Sequence, residues 1–231
     1  MKPLLLDLLA CPICKYYHLK LDIFKWETSE NKFSKVIKAF QKKDIEYLKN
    51  TTKIRRGKDI TENGVIIDTQ NDLILIRDVL VRKNLDIISY LEEIKPKLNY
   101  FNVIEDYTDE NYSSCLNLIK TNIIKHIFDT KAKIVGQNIN ETPLEPQRQI
   151  LDEIKADIYL LNWFFQFSEI EEGVMFCERC ARWYPIIETI PQMLPDELRQ
   201  YQNEIVFLKK WKSKLSKKII ENGKPFNLKT K

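Results

Sequence analysis

Four of the five cysteines fall into two identical pairs, Cys11-Pro12-Ile13-Cys14 and Cys177-Glu178-Arg179-Cys180. Two residues between thiolates let one tight turn aim both sulfurs at a single ion, and two such turns complete the tetrahedral four-thiolate sphere that zinc prefers. Four sulfurs leave no open coordination position, so the role implied is structural, one ion per chain. A disulfide framework suits a reducing compartment poorly, and a thioredoxin-like site needs one pair in a βαβ context. The separation is unusual. Between Cys14 and Cys177 lie 162 residues, against roughly 15–20 in ordinary zinc ribbons. A shared ion therefore requires the intervening chain to leave a small domain and return to it. His18 is either a substitute ligand or, with four thiolates present, an ordinary surface or partly buried histidine. Cys115 stands alone and reads as a helix-packing residue.

Composition excludes much else. The 231 residues are 44% hydrophobic and 30% charged, enough for one sizeable core with a small satellite. No apolar run approaches the roughly 18 residues needed to span a bilayer, so no membrane partner is expected. The five glycines are never closer than Gly57 and Gly64, so no GxGxxG or P-loop can be written. With only His18 and His126, catalysis by several imidazoles is not expected, and residues 29–169 show no acid, base or nucleophile spacing. The start, Met1-Lys2-Pro3-Leu4-Leu5-Leu6-Asp7-Leu8-Leu9-Ala10-Cys11, has an apolar run broken by Asp7 and shorter than an export signal wants. The expectation is a cytoplasmic, non-catalytic protein. Net charge is +4, but residues 201–231 hold nine Lys and two Glu, so a near-neutral body ends in a basic tail.

The flanks of the cysteine pairs carry a resemblance. Leu5-Leu6-Asp7-Leu8-Leu9-Ala10-Cys11-Pro12 at one end, and Gly173 to Cys180 followed by Trp183-Tyr184-Pro185-Ile186 and Ile190-Pro191-Gln192-Met193-Leu194-Pro195 at the other, resemble the methyltransferase-activating zinc-binding subunit of eukaryotes and archaea. The likeness covers roughly residues 1–28 and 170–200. It implies a subunit without activity of its own that binds no S-adenosylmethionine itself. As a heterodimer it would hold and activate S-adenosylmethionine-dependent methyltransferases acting on tRNA, rRNA or a translation release factor. It further implies that a strand of the activator adds to the partner's sheet. Two positions depart from the family, Ala181 and Thr189, both usually glycine, and the insertion is longer than the family's.

These motifs need elements to position them. Leu4, Leu5, Leu8 and Leu9 form one stripe on a short first helix, packing on the zinc domain with Leu5 and Leu8 available to a partner. Leu19, Leu21 and Ile23 alternate, predicting a strand over about 19–27, with two more around the second pair. Pro191 and Pro195 suit a sheet edge, and Ile187, Ile190, Pro191, Met193 and Leu194 are the candidate partner surface there. Residues 29–169 read as a mainly helical insertion: Phe33 to Leu48, Leu73 to Leu91, Cys115 to Ile127 and Leu151 to Phe165 give helical faces. A break falls at Pro143–Pro146, and one short strand is possible at Val65-Ile66-Ile67. In the tail, Leu208, Trp211, Leu215 and Ile219 line one amphipathic helix, with Lys209, Lys210, Lys212, Lys214, Lys217 and Lys218 between them. Packing on the body is the default for such a stripe, with partner docking or RNA contact by the lysines as alternatives. The fold expected is α+β: a zinc-ribbon-like four-cysteine domain (1–28 plus 170–200), a helical insertion domain (29–169) and the basic tail (201–231). A stand-alone RNA-binding zinc ribbon is the rival reading.

Overall fold

The computed structural model describes residues 1–56, 60–134 and 143–229. The alternation around Leu21 becomes strand β1 (Lys20–Trp26). The segments flanking the second cysteine pair become β8 (Ile170–Phe176) and β9 (Trp183–Ile187), followed by β10 (Ile190–Pro191). With β7 (Ile104–Asp106) they form a sheet of order β10-β9-β8-β1-β7. Every pairing is antiparallel except that of β1 with β7, which is parallel. The central β1–β8 contact puts the two ends of the chain side by side. It depends on Gly173, where a Cβ would come within 2.6 Å of the Asp22 carbonyl oxygen.

The insertion supplies α1 (Glu30–Gln41), α2 (Ile45–Thr51), α3 (Ile87–Leu98), α4 (Glu110–Leu118), α5 (Ile124–Ile134) and α6 (Leu144–Asn162). A π-helical turn at Ile119–Ile123 joins α4 to α5, and another, Trp163–Phe167, extends α6. Pro143 and Pro146 start a helix rather than break one. Pro143 is the N-cap of α6 and Pro146 lies in its first turn, where a missing N–H costs nothing. Part of the mainly helical insertion is β: β2 (Lys53–Arg56) pairs with β3 (Ile60–Asn63), and β4 (Ile66–Gln70), where a short strand is expected, joins β5 (Leu73–Arg77), over residues with helical spacing, and β6 (Leu85–Asp86) in a three-stranded sheet. The physical reason lies in Asn71-Asp72. Both have positive φ, 50° and 61°, closing a two-residue hairpin that pairs Gln70 with Leu73. Burial then alternates, with Ile74 and Ile76 inside, so period 2 wins over the helical spacing of Leu73, Ile76 and Leu80.

The two faces of the five-stranded sheet are covered by different parts of the chain. Leu21, Ile23, Met175, Tyr184 and Ile186 join a large buried cluster with Phe33, Tyr90, Ile119, Ile158 and Trp163, so the terminal segments and the insertion share one core. Phe24, Val174, Phe176 and Trp183 form a second cluster with Phe207, Leu208, Leu215 and Ile219. The tail thus packs its apolar stripe on the sheet, as its spacing predicted, but not as one helix. It is split into α7 (Tyr201–Lys210) and α8 (Lys217–Asn222), because Ser216 caps α8 by accepting from the Ile219 N–H. Thr230 and Lys231 lie outside the described residues. No helix among the described residues is long and apolar enough to cross a membrane.

Asp22 is a costly residue in this sheet. It is 9% exposed and opposite Glu105 in the parallel pair. Burial, with Glu105 adding to it and Lys20 opposing, pushes its carboxyl up to about 6. The folded pKa lies above the unfolded value of about 3.9, so the native state binds the extra proton and stability falls as pH rises from about 4 to 6. Asp22→Asn should therefore stabilise the protein by about 2 kcal/mol at pH 7.5 and by almost nothing at pH 4. Urea unfolding at the two pH values checks this, and an equal effect at both would refute it.

Candidate metal centre

Both cysteine pairs sit in the same local turn. The Lys15 N–H donates to the Cys11 carbonyl and the Ala181 N–H to the Cys177 carbonyl, each at 2.9 Å. In return the N–H groups of Cys11 and Cys177 donate to the carbonyls of Tyr16 and Arg182 at 2.9 and 2.8 Å. The residue after each second cysteine is left-handed, with φ 58° at both Lys15 and Ala181. β1 and β8–β9 hold the two turns against each other. Cys11 Sγ lies 3.5 Å from Cys180 Sγ and Cys14 Sγ 3.5 Å from Cys177 Sγ, so each contact joins one pair to the other. All four sulfurs are within 4.8 Å of one another, the one such His/Cys/Asp/Glu group among the described residues. Sulfurs bonded tetrahedrally to zinc at about 2.3 Å stand about 3.8 Å apart, so the set fits one ion with little movement. His18 is not in it; its ring lies against Tyr17 and Tyr100. Cys115 is fully buried in the insertion's helices.

The surroundings favour thiolates on one side of the site. Burial alone would raise the Cys11 thiol, but the Cys14 N–H, the Tyr184 hydroxyl at 3.2 Å and the Ile13 N–H, with Cys180, bring it down to about 6. Burial pushes Cys177 and Cys180 up despite N–H donors of their own. A cation held at the centre would supply the charge that lets all four ionise together. Arg182, bound to Asp196 through Nε at 3.0 Å and Nη2 at 2.7 Å, stands beside Cys180. On the other flank Tyr17 donates to Asp7 at 2.7 Å and meets Tyr100, while Lys97 pairs with Asp7. That network ties the first turn to the insertion.

A model of the Trm112p-like protein family matches residues 2–188, spanning both cysteine turns and everything between them. The chain belongs to this family. Members of the Trm112p-like family are non-catalytic subunits that activate methyltransferases, which agrees with the resemblance read at the two ends of the sequence. No curated protein and no solved structure matches the chain.

The two departures from the family's glycines are conformationally meaningful. Ala181 has φ 58° and Thr189 φ 67°, and Glu188 beside it has φ 49°. Glu188-Thr189 is the two-residue turn that pairs Ile187 with Ile190, and both of its residues need the region that only glycine enters freely. A β-branched residue is worst placed there. Relief of about 1–2 kcal/mol, less the extra chain entropy of glycine, leaves Thr189→Gly more stable by about 1 kcal/mol, or roughly 2–4 °C. Thermal unfolding measures it; a lower melting temperature would mean the threonine side chain has a contact worth more than its strain.

Ile190 (59% exposed), Leu8 (62%), Leu194, Ile187 and Leu5 lie on the surface of the Trm112p-like chain, whereas Met193 is half-buried and packs on the main core. Pro191 is half-buried on β10, the edge strand its missing N–H suggested. Leu198 (61%), Tyr201 and Val206 (65%) are exposed as well. They were not foreseen, because their spacing fits an amphipathic stripe no worse than that of their buried neighbours. A groove of about 280 Å³ between β9 and α7 is walled by Pro185, Ile187, Leu194, Leu198 and Phe207. Of the tail lysines, Lys210 pairs with Glu172, Lys218 with Glu178, and Lys214 donates to the Phe24 carbonyl. Lys209, Lys212 and Lys217 are exposed. His126 Nδ1 lies 2.6 Å from buried Asp157 on α6, a pair separated by 31 positions and invisible to local spacing.

Proposed function

We propose that this chain binds one structural zinc ion through Cys11, Cys14, Cys177 and Cys180 and acts as the activating partner of S-adenosylmethionine-dependent methyltransferases that modify tRNA, rRNA or translation factors. The observation that carries the partner surface is an apolar strip beside an open sheet edge: Ile187, Ile190, Leu194 and Leu198 are all exposed next to β10, which pairs on one side only. Such an edge is a liability unless something covers it. A strand of the enzyme added to β10 would satisfy its backbone, with the strip supplying the apolar contact. Leu5 and Leu8 offer a second exposed pair for the same partner. Activation then follows from stabilisation: the subunit covers an enzyme surface prone to aggregate and favours the cofactor-competent state. Linkage demands reciprocity, so if this chain tightens S-adenosylmethionine binding to the enzyme, the cofactor must tighten the heterodimer equally.

The test is affinity purification of the tagged chain from its own host, with mass spectrometry of what co-elutes and S-adenosylmethionine titration of the complex. Stoichiometric methyltransferases are expected. RNA or ribosomes alone, with no methyltransferase above background, would support the stand-alone RNA-binding zinc ribbon instead.

A further inference from the structure

We propose that helix α1 is an RNA-backbone contact surface; the proposal rests on the reading above only in taking RNA as a substrate brought near this chain. Lys32, Lys35 and Lys38 recur along α1 at intervals of three, and Lys42 follows at its C-cap. At about 100° and 1.5 Å per residue the four occupy an arc of about 120° and a length of about 15 Å. All four are exposed; Lys35, Lys38 and Lys42 lie about 100° or more around the helix from buried Phe33 and Val36, and Lys32 stands at the margin of that buried face.

From Glu30 to Arg55 there are eight Lys/Arg against three Asp/Glu. Two of those acids serve the fold: Asp44 accepts from the Tyr47 N–H to cap α2, and Glu46 accepts from Asn50. None of the four lysines makes an ion pair or side-chain hydrogen bond with a described residue. Other lysines of the chain are neutralised, as Lys20, Lys25, Lys97, Lys120, Lys131 and Lys210 each meet a carboxylate. A row of like charges left unpaired on one helix face repels itself, and an array of phosphates relieves that cost. Beside the row, a groove of about 260 Å³ between α1 and α4 is lined by Ser34, Gln41, Asn111 and Ser114, with Glu110. Hydroxyl and amide groups of this kind bind phosphate and sugar oxygens.

The same face argues against other occupants. No large apolar side chain between residues 30 and 56 is exposed. A membrane-surface helix needs such residues to insert, and a protein interface needs them at its centre. The position is also compatible with a bound enzyme. α1 packs on α2, α4 and α6, and α4 follows β7, the sheet edge opposite β10.

The experiment is fluorescence anisotropy of the full-length zinc-loaded chain with fluorescein-labelled bulk tRNA across a series of KCl concentrations. Lys35→Glu/Lys38→Glu/Lys42→Glu should lose at least tenfold in affinity at about 0.1 M salt and flatten the slope of log K against log[salt] by about 2–3. Lys35→Gln/Lys38→Gln/Lys42→Gln, free of new repulsion, should show the same change of slope. The equally charged tail variant Lys209→Glu/Lys212→Glu/Lys217→Glu should change affinity less than twofold. An unaltered slope in the glutamine variant, or an equal loss in the tail variant, overturns the proposal. So does salt-sensitive capture by phosphatidylserine vesicles that exceeds RNA binding. The α1 variants should still co-purify methyltransferases as wild type does; if wild type captures none while the RNA result stands, the activator reading fails and this one does not.

Discussion

Cys177→Ser should cost the protein its metal and with it the terminal half of its fold. Cys11 and Cys177 are fully buried members of the same core as Leu19, Tyr184 and Ile186, so an ion held by them would sit at the edge of the main hydrophobic cluster. Structural zinc contributes about 10–16 kcal/mol of apparent free energy in small finger peptides, comparable to or above the roughly 5–15 kcal/mol of net stability of a typical domain. The sheet joining the chain ends cannot survive that loss. Zinc content should fall from one ion per chain to none, and the melting temperature by more than about 10 °C. A chelator should do the same to wild type and add nothing to the variant. If metal-free wild type melts where the loaded protein does, the ion has no structural role and the clustering of the four cysteines is only a packing arrangement.

Ile190→Glu/Leu194→Glu should abolish capture of the methyltransferase while leaving the fold intact. Ile190 is 59% and Leu194 38% exposed, so neither substitution buries a charge in the free chain. At a covered edge each would place a carboxylate against apolar surface, and central interface residues cost about 2 kcal/mol or more apiece when removed. Two together should weaken the heterodimer by on the order of 1,000-fold. Titration of the variant against the purified enzyme gives the affinity, and a melting temperature within about 2 °C of wild type excludes misfolding. Met193→Glu is the contrasting case: half-buried on the core, it should lower the melting temperature as well. Stoichiometric capture by the double variant would move the interface elsewhere, with Leu5 and Leu8 the next candidates.

Local chemistry was legible in the residues alone. Matched C-x-x-C spacing specifies the two turns, because each turn presents its pair of sulfurs to a metal within four residues. Alternation around Leu21 and the apolar runs flanking Cys177 specify strands, because side chains of a strand change face at every residue. Pro191 announces a sheet edge for want of an N–H. Even the hairpin at Asn71-Asp72 had its signal in two residues that tolerate positive φ, which the helical spacing of Leu73, Ile76 and Leu80 obscured. Which faces meet is another matter. That β1 lies between β7 and β8, that the tail folds back on Trp183 and Phe176, and that His126 reaches Asp157 depend on contacts far apart in the chain. Periodicity marks an apolar stripe but is silent on which partner covers it. Leu208 and Val206 look alike in the sequence, and only the sheet beneath α7 makes one core and the other surface. The lysines divide for the same reason, since a carboxylate within reach of Lys210, and none among the described residues bound to Lys35, is a fact of tertiary packing.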